Sequence, residues 1–282
     1  MPDTLVAASP RRAELRGTAL MLWYLKLYFL LSAQYIKARL SYRLDFFVSS
    51  IGMVAFNLPG FLGLLVVFRS IPSLSGWSLD EMVFIYGFSL LSLCPFQILF
   101  DNIWQLRIKL QDGSFVKYYF RPLNMLFYYT SEIVDLKGFA QLAMGIGLLV
   151  WSSGQLHLIW TLPMILGFAV VLATASLVMI GLMLGAASAA FWIVNSYSIL
   201  SLFSRFRDYT RYPMSIYSNA FRFLFSTIIP IGFVAFYPVQ WILHPGQAGI
   251  EVWFTPLAGI ACFAAGAIVW SKGVRSWSGT GT

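Results

Sequence analysis

The sequence predicts an all-α polytopic membrane protein, with six transmembrane helices preceded by an amphipathic interfacial helix. Three observations carry that prediction. The 282 residues are 59% hydrophobic and only 11% charged, with mean hydropathy +0.75, against about 45–50% apolar and about 25% charged in an average soluble domain. Six apolar runs approach or exceed the roughly 20 residues that a membrane helix needs. Lys and Arg concentrate in alternate connections between those runs, as they do when they stay on the cytoplasmic side.

Residues 1–19 carry Arg11, Arg12, Glu14 and Arg16 and no continuous apolar core ahead of a small-residue cleavage site. They read as an uncleaved, flexible cytoplasmic tail. Residues 20–43 place Lys26, Gln34, Lys37 and Ser41 near one face at helical spacing, with Leu22, Tyr24, Leu25, Phe29, Leu30 and Ile36 over the rest. That pattern predicts a helix lying on the inner membrane surface, and a plain membrane anchor fits it too. The transmembrane region, 44–282, then offers spans at 44–68, 82–100, 133–151, 160–182, 221–243 and 252–270.

The charges fix a direction. Residues 11–43 hold seven basic side chains; Arg107, Lys109, Lys117 and Arg121 follow the second span, Arg205, Arg207 and Arg211 the fourth, and Lys272 and Arg275 the last. The opposite connections hold Arg69 as their one Lys or Arg, with Asp80, Glu81, His157, His244 and Glu251. Both termini therefore read as cytoplasmic, and the net charge of +8 follows from topology without any nucleic-acid partner. No charged side chain occurs between Lys137 and Arg205. Two crossings there would put 205–212 outside, so one crossing is read, continued by a helical stretch over about 186–203 low in the membrane.

Several function classes drop out. Asp45, Glu132, Asp135 and Lys137 fall near the predicted inner interface, where such groups pair or snorkel, and no acid falls at a predicted midplane, which weakens a proton-pump reading. No HExxH, no GxSxG and no run of aspartates for a metal-bound diphosphate is present, and the two histidines fall in connecting loops. An intramembrane lipid enzyme is thereby disfavoured, and no metal site is expected. No GxxxxGK[ST] phosphate loop exists, so energy must come from a partner or a gradient. Cys94 and Cys262 belong to no CxxC pattern and read as free buried thiols. Gly181 with Gly185, Gly185 with Ala189, and Cys262 with Gly266 are spaced for close helix packing. Pro230 and Pro238 predict a kinked or broken fifth span.

Between the second and third spans lies QDGSFVKYYFRPLN (111–124). Asp112–Gly113 signals a turn, Ser114 a cap and Pro122 a stop, which leaves a helix of about two turns. Phe115, Tyr118, Tyr119 and Phe120, mixed with Lys117 and Arg121, make an aromatic and basic surface of the kind that anchors a protein interface. A short helix packed back on the bundle is the alternative.

GSFVKYYFRPLN (113–124), YPMSIYSNAFRFLFSTIIPIGFVAFYPVQWIL (212–243) and VWSKGVRSWSGTGT (269–282) together resemble the permease subunits of bacterial ABC exporters of the second permease class, in their six-span branch. The resemblance implies two permeases, identical or sibling, in the bacterial inner membrane, with separate cytoplasmic ATPase subunits that hold ATP and Mg. It makes 104–124 a coupling segment, with Asp112, Gly113, Ser114, Phe115, Lys117, Tyr118, Tyr119 and Arg121 docking the ATPase, so that alanines at Phe115, Tyr118 and Tyr119 would detach it. Arg205, Arg207, Arg211 and Tyr212 are the candidate second cytoplasmic contact. The cargo reads as amphiphilic or hydrophobic, with Phe56, Asn57, Phe225 and Phe233 as candidate path residues. A membrane scaffold without a transport path is the competing class, and it needs neither the paired prolines nor the aromatic segment.

Overall fold

The computed structural model describes residues 18–41, 43–246 and 249–277. The predicted tail lies outside them up to residue 17. Eleven α-helices and no strand occur among the described residues: α1 (Thr18–Leu40), α2 (Arg43–Ser70), α3 (Leu79–Leu99), α4 (Leu106–Gln111), α5 (Met125–Ser131), α6 (Lys137–Gln155), α7 (Leu162–Ser188), α8 (Tyr197–Tyr209), α9 (Asn219–Phe223), α10 (Phe236–Leu243) and α11 (Thr255–Ser276). Four helical stretches are long and apolar enough to cross a membrane: Leu44–Ser70, Leu79–Leu99, Leu162–Phe191 and Ile250–Ser276. α6, at 19 residues, is not among them.

α3 is the centre of the bundle. Its apolar window is 83% buried, as suits a helix that is hydrophobic all round. Ser78 opens it with a reciprocal capping box, its hydroxyl accepting from the Glu81 amide while the Glu81 carboxylate accepts from the Ser78 amide at 2.7 Å. α6 packs antiparallel against it: Ile98 meets Gly138, Leu91 meets Gly145 and Gly87 lies against Leu148 and Leu149. The antiparallel α2 covers another side through Asn57 and Gly60, which meet Tyr86. The rest of α2 presents Phe47, Val48, Ile51, Leu62 and Val66 outward.

α7 and α11 form the second layer and run in the same direction, since Thr174 meets Gly259, Gly181 meets Cys262 and Gly266, and Phe191 meets Gly273. Between two parallel helices the chain must return along their length. It returns in pieces: α8, a 3₁₀ turn at Met214–Ile216, α9, a π-helical turn at Leu224–Ile228, a 3₁₀ turn at Ile231–Val234, and α10. At the end of α10, His244 meets Glu81 at 2.8 Å and packs edge-on against Trp77.

Several expectations are corrected. The predicted fifth span, 221–243, is not one helix, and the prolines explain only half of that. The π turn ends at Ile228 and Pro230 follows with ψ 50°, but Pro238 sits in the first turn of α10, where a missing N–H leaves no bond unmade. Pro238 therefore belongs to a helix start and breaks nothing. The third predicted run begins four residues later, at Lys137, whose amide donates to the Asp135 carboxylate just ahead of the helix. α1 forms, but its polar and apolar side chains are not segregated: exposed Leu30 stands one turn from Lys26, inside the supposed polar face. His244 does lie in a loop, just after α10, but it is half-buried there and paired with Glu81.

Candidate functional site: a braced turn and a basic cavity

The helices define two ends, and most of the basic groups gather at one of them, where α3 and α7 finish and α6 begins. There α4 ends at Asp112, whose carboxylate accepts from the Ser114 amide at 2.8 Å. Hydrogen bonding from the Ser114 hydroxyl first, and from its amide second, holds the Asp112 carboxyl below its ordinary value. Gly113 follows with φ 76°, a left-handed conformation that glycine adopts without steric cost. The turn delivers the chain into a short 3₁₀ helix, Ser114–Tyr118, which ends before Phe120 and Arg121 rather than running on to Pro122 as expected.

Phe115 and Tyr118 are 0% and 1% exposed, so the aromatic side chains do enter an apolar interior. Phe115 packs against Tyr129, Phe191, Trp270 and Trp277. Tyr118 lies against Tyr128 and Tyr129, and its hydroxyl donates to Glu132. Glu132 also accepts from Lys109 at 2.9 Å and from Lys117. Burial works to raise the Glu132 carboxyl, but hydrogen bonds from Lys117, Tyr118 and Lys109 outweigh it and hold the group below its ordinary value. Burial also lowers Lys109.

What remains outside is narrower than the predicted surface. Tyr119 is half-exposed, stacks on Trp277 and donates to the Val274 carbonyl at 2.6 Å. Phe120 is 80% exposed, and Arg121 sits over the Tyr128 ring. Tyr119, Phe120 and Arg121 thus form an exposed prong on a base made by Phe115, Tyr118 and Glu132. Asp112, Gly113, Ser114 and Lys117 border it on the exposed side.

The second predicted contact is placed differently. α8 begins beside Gln111 and Trp104, through the bond from Gln111 to the Val194 carbonyl and the packing of Trp104 on Tyr197. Its other end reaches the middle of the bundle. Thr210 bonds to Ser89 at 2.6 Å, and the Arg211 guanidinium donates to the Asn57 side chain at 2.9 Å and lies over the Tyr86 ring. Asn57 stands midway along α2, about 21 Å from its start at 1.5 Å per residue. Residues 205–212 therefore do not form a surface contact as a group: Arg205 is exposed, Tyr212 half-buried, Arg207 half-buried and Arg211 buried.

Arg207 and Arg211, with Lys137, line a cavity of about 250 Å³ between α2, α3, α6 and the end of α8. Asn57, Gln97 and Gln141 supply its polar wall, and Met53, Phe56, Leu90 and Leu93 its apolar one. Of the four path candidates, Phe56 and Asn57 line this cavity. Phe225 is buried among Phe206, Tyr209, Tyr217 and Phe221. Phe233 lines a separate apolar groove between α7, α11 and the π turn. The four are not brought together. Glu132, Gln97 and Gln141 were missed as site residues; a polar group inside an apolar run is the signal that could have marked Gln97 and Gln141.

A family model described as ABC-2 family transporter protein matches residues 54–281. The chain belongs to the ABC-2 transporter family. As an ABC-2 protein it is a multi-pass membrane permease component of an ABC transporter, and membership implies association with ABC ATPase components. The matched stretch contains the braced turn, most of the residues that line the basic cavity and the α7–α11 pair. Searches of curated proteins and of solved structures returned no match.

Proposed function

We propose that this chain is the permease subunit of an ATP-driven exporter in the bacterial cytoplasmic membrane, with the basic end and both termini facing the cytoplasm. It pairs with a second permease, identical or sibling, and moves an amphiphilic or hydrophobic substrate. Separate ATPase subunits bind ATP and Mg and supply the energy. The observation that carries this reading is the exposed Tyr119–Phe120–Arg121 prong on a buried aromatic base. An aromatic at 80% exposure beside an arginine is the composition of a protein anchor, and the Glu132 network fixes its position before any partner arrives.

Coupling follows from what the prong is attached to. Phe115 touches Phe191 at the end of α7 and Trp270 and Trp277 at the end of α11. An ATPase that pushes the prong therefore pushes the ends of the parallel pair. The return segment beside that pair, broken at Pro230, lets its two halves move separately, as alternation between inward-open and outward-open states requires.

The test is purification from mild detergent, identification of co-purifying chains by mass spectrometry, and an ATPase assay on the eluate. A Walker-type ATPase is expected with the wild type, and its loss with Phe120→Ala/Arg121→Ala while the permease stays folded and in the membrane. Recovery of no ATPase across several detergents would sink the coupling role and favour a membrane scaffold.

A further inference from the structure

We infer that the cavity between α2, α3, α6 and the end of α8 binds an amphiphile with a compact anionic headgroup, held by Arg207 and Arg211, its apolar chain running past Phe56 to the outer face of α2. That this amphiphile is the transported substrate rests on the permease reading above; that it binds does not.

The charges around the cavity do not cancel from within. α2 and α3 contribute no ionisable group to its wall. Lys137 is matched by Asp135 at 3.3 Å. Asp101, beyond the end of α3, accepts from Gln97 at 3.1 Å. Asp208 approaches Arg211 at 3.5 Å, but its own side chain is 57% exposed, and it does not line the cavity. Arg207 has no carboxylate within ion-pair distance among the described residues, and Arg207 Nε and Arg211 Nε are both enclosed without a hydrogen-bond partner. A guanidinium at membrane depth is costly unless it is paired, and two that share one cavity call for an anion between them. Guanidinium suits phosphate or carboxylate because its fork donates two parallel hydrogen bonds.

The remaining wall sets the rest of the ligand. Leu90 and Leu93 offer no polar atoms beyond their backbone, and the Met53 sulfur already accepts from the Asn57 side chain, so a small hydrated ion would leave that side unfilled. Phe56 lines the cavity and is 60% exposed, which makes it the lip on the outer surface. Beyond it Val48, Ile51 and Leu62 continue along exposed α2. A chain attached to the anionic head can leave sideways there into hydrocarbon. The volume of about 250 Å³ takes a headgroup and the first few methylenes, with the tail outside.

Dodecyl phosphate is the probe, added to the purified full chain in neutral maltoside detergent and followed by native mass spectrometry and thermal shift. One saturable site is expected, weakened about tenfold or more in Arg207→Gln and recovered in part in Arg207→Lys. Arg211 also braces Asn57 and Tyr86, so Arg207 carries the test. Wild-type binding in Arg207→Gln, or equal affinity for inorganic phosphate alone, would overturn the proposal. Competition by phosphatidylglycerol in nanodiscs distinguishes a resident lipid, which competes, from a single-chain cargo, which is not displaced; both are the anionic amphiphile proposed. The assay needs no ATPase: missing ATPase would remove the permease reading and leave this binding standing, while unchanged binding in Arg207→Gln would do the reverse.

Discussion

Phe115 and Phe120 are five residues apart in one aromatic stretch, yet removing each has a different consequence. Phe115 is fully enclosed, with six aromatic rings packed on it, so Phe115→Ala is expected to cost about 3–5 kcal/mol and to lower the thermal midpoint and the yield. Phe120→Ala, at an 80% exposed position, should change stability by less than about 0.5 kcal/mol and show itself only in partner recovery. Thermal unfolding of the two purified variants separates them. Two carboxyls at the basic end also titrate in opposite senses. Burial, aided by neighbouring Asp135, pushes Asp101 up to about 6, so its protonated form is the one the fold favours. Its contribution is fully present below the ordinary aspartate value of about 4 and is lost as pH rises through about 6. Glu132, held below its ordinary value, contributes above that value and loses its contribution as pH falls through the lowered one. Asp101→Asn is therefore expected to flatten the decline in thermal midpoint between about pH 4 and 6, and Glu132→Gln to lower the midpoint at neutral pH. A decline unchanged in Asp101→Asn would reassign it to another group.

At the scale of elements, the parallel pair α7–α11 depends on where backbone meets backbone. A Cβ on Gly181 would collide with the Cys262 and Phe263 backbone, whereas one on Gly185 would find the Gly266 Cα at 3.8 Å, an ordinary contact. Gly181→Ala should therefore force the helices apart at about 1–3 kcal/mol, while Gly185→Ala is tolerated, although both belong to the same small-residue spacing in sequence. Melting curves of the two variants check this, and equal losses would show that the helices slide past the obstruction. The long elements were legible because uniform apolar runs admit one reading: α2, α3, α7 and α11 each fall on such a run. The return segment was not. Its hydropathy resembles a single span, and nothing local says that Pro238 begins a helix while Pro230 follows the end of one; that is settled by the packing of Phe236, Tyr237 and Val239 into the core.

For the whole molecule, the harder reading was depth. Positive charge in short connections is a sound guide to sidedness, and it assigned Arg205–Arg211 to a surface loop. Arg211 escapes it because Asn57 and Tyr86, from helices far earlier in the chain, give it an interior partner and a ring to lie on. The interior of the braced turn was hidden for the same reason, since Phe191, Trp270 and Trp277 are supplied from 76 to 162 positions away. The exposed tip, Phe120 and Arg121, could be read locally, since Arg121 lies over Tyr128, seven positions on; Tyr119 could not, because it rests on Trp277 and Val274. Trp277→Ala removes one wall of that turn and the ring on which Tyr119 stacks while leaving Phe120 and Arg121 unaltered, and is expected to weaken ATPase retention while leaving the spans folded. Unchanged retention in the co-purification assay would mean that the Glu132 network alone holds the turn. The bond from Arg211 to Asn57 closes a loop of 154 residues, and loops of that length close late. While the chain is being made, α2 and α3 enter the bilayer long before Arg211 leaves the ribosome, so Asn57 waits there with its side chain donating only to its own helix, at the Met53 carbonyl. The cavity is thus a product of the last stages of biogenesis, and a nascent chain stalled before residue 211 would hold its first spans in place with no site between them.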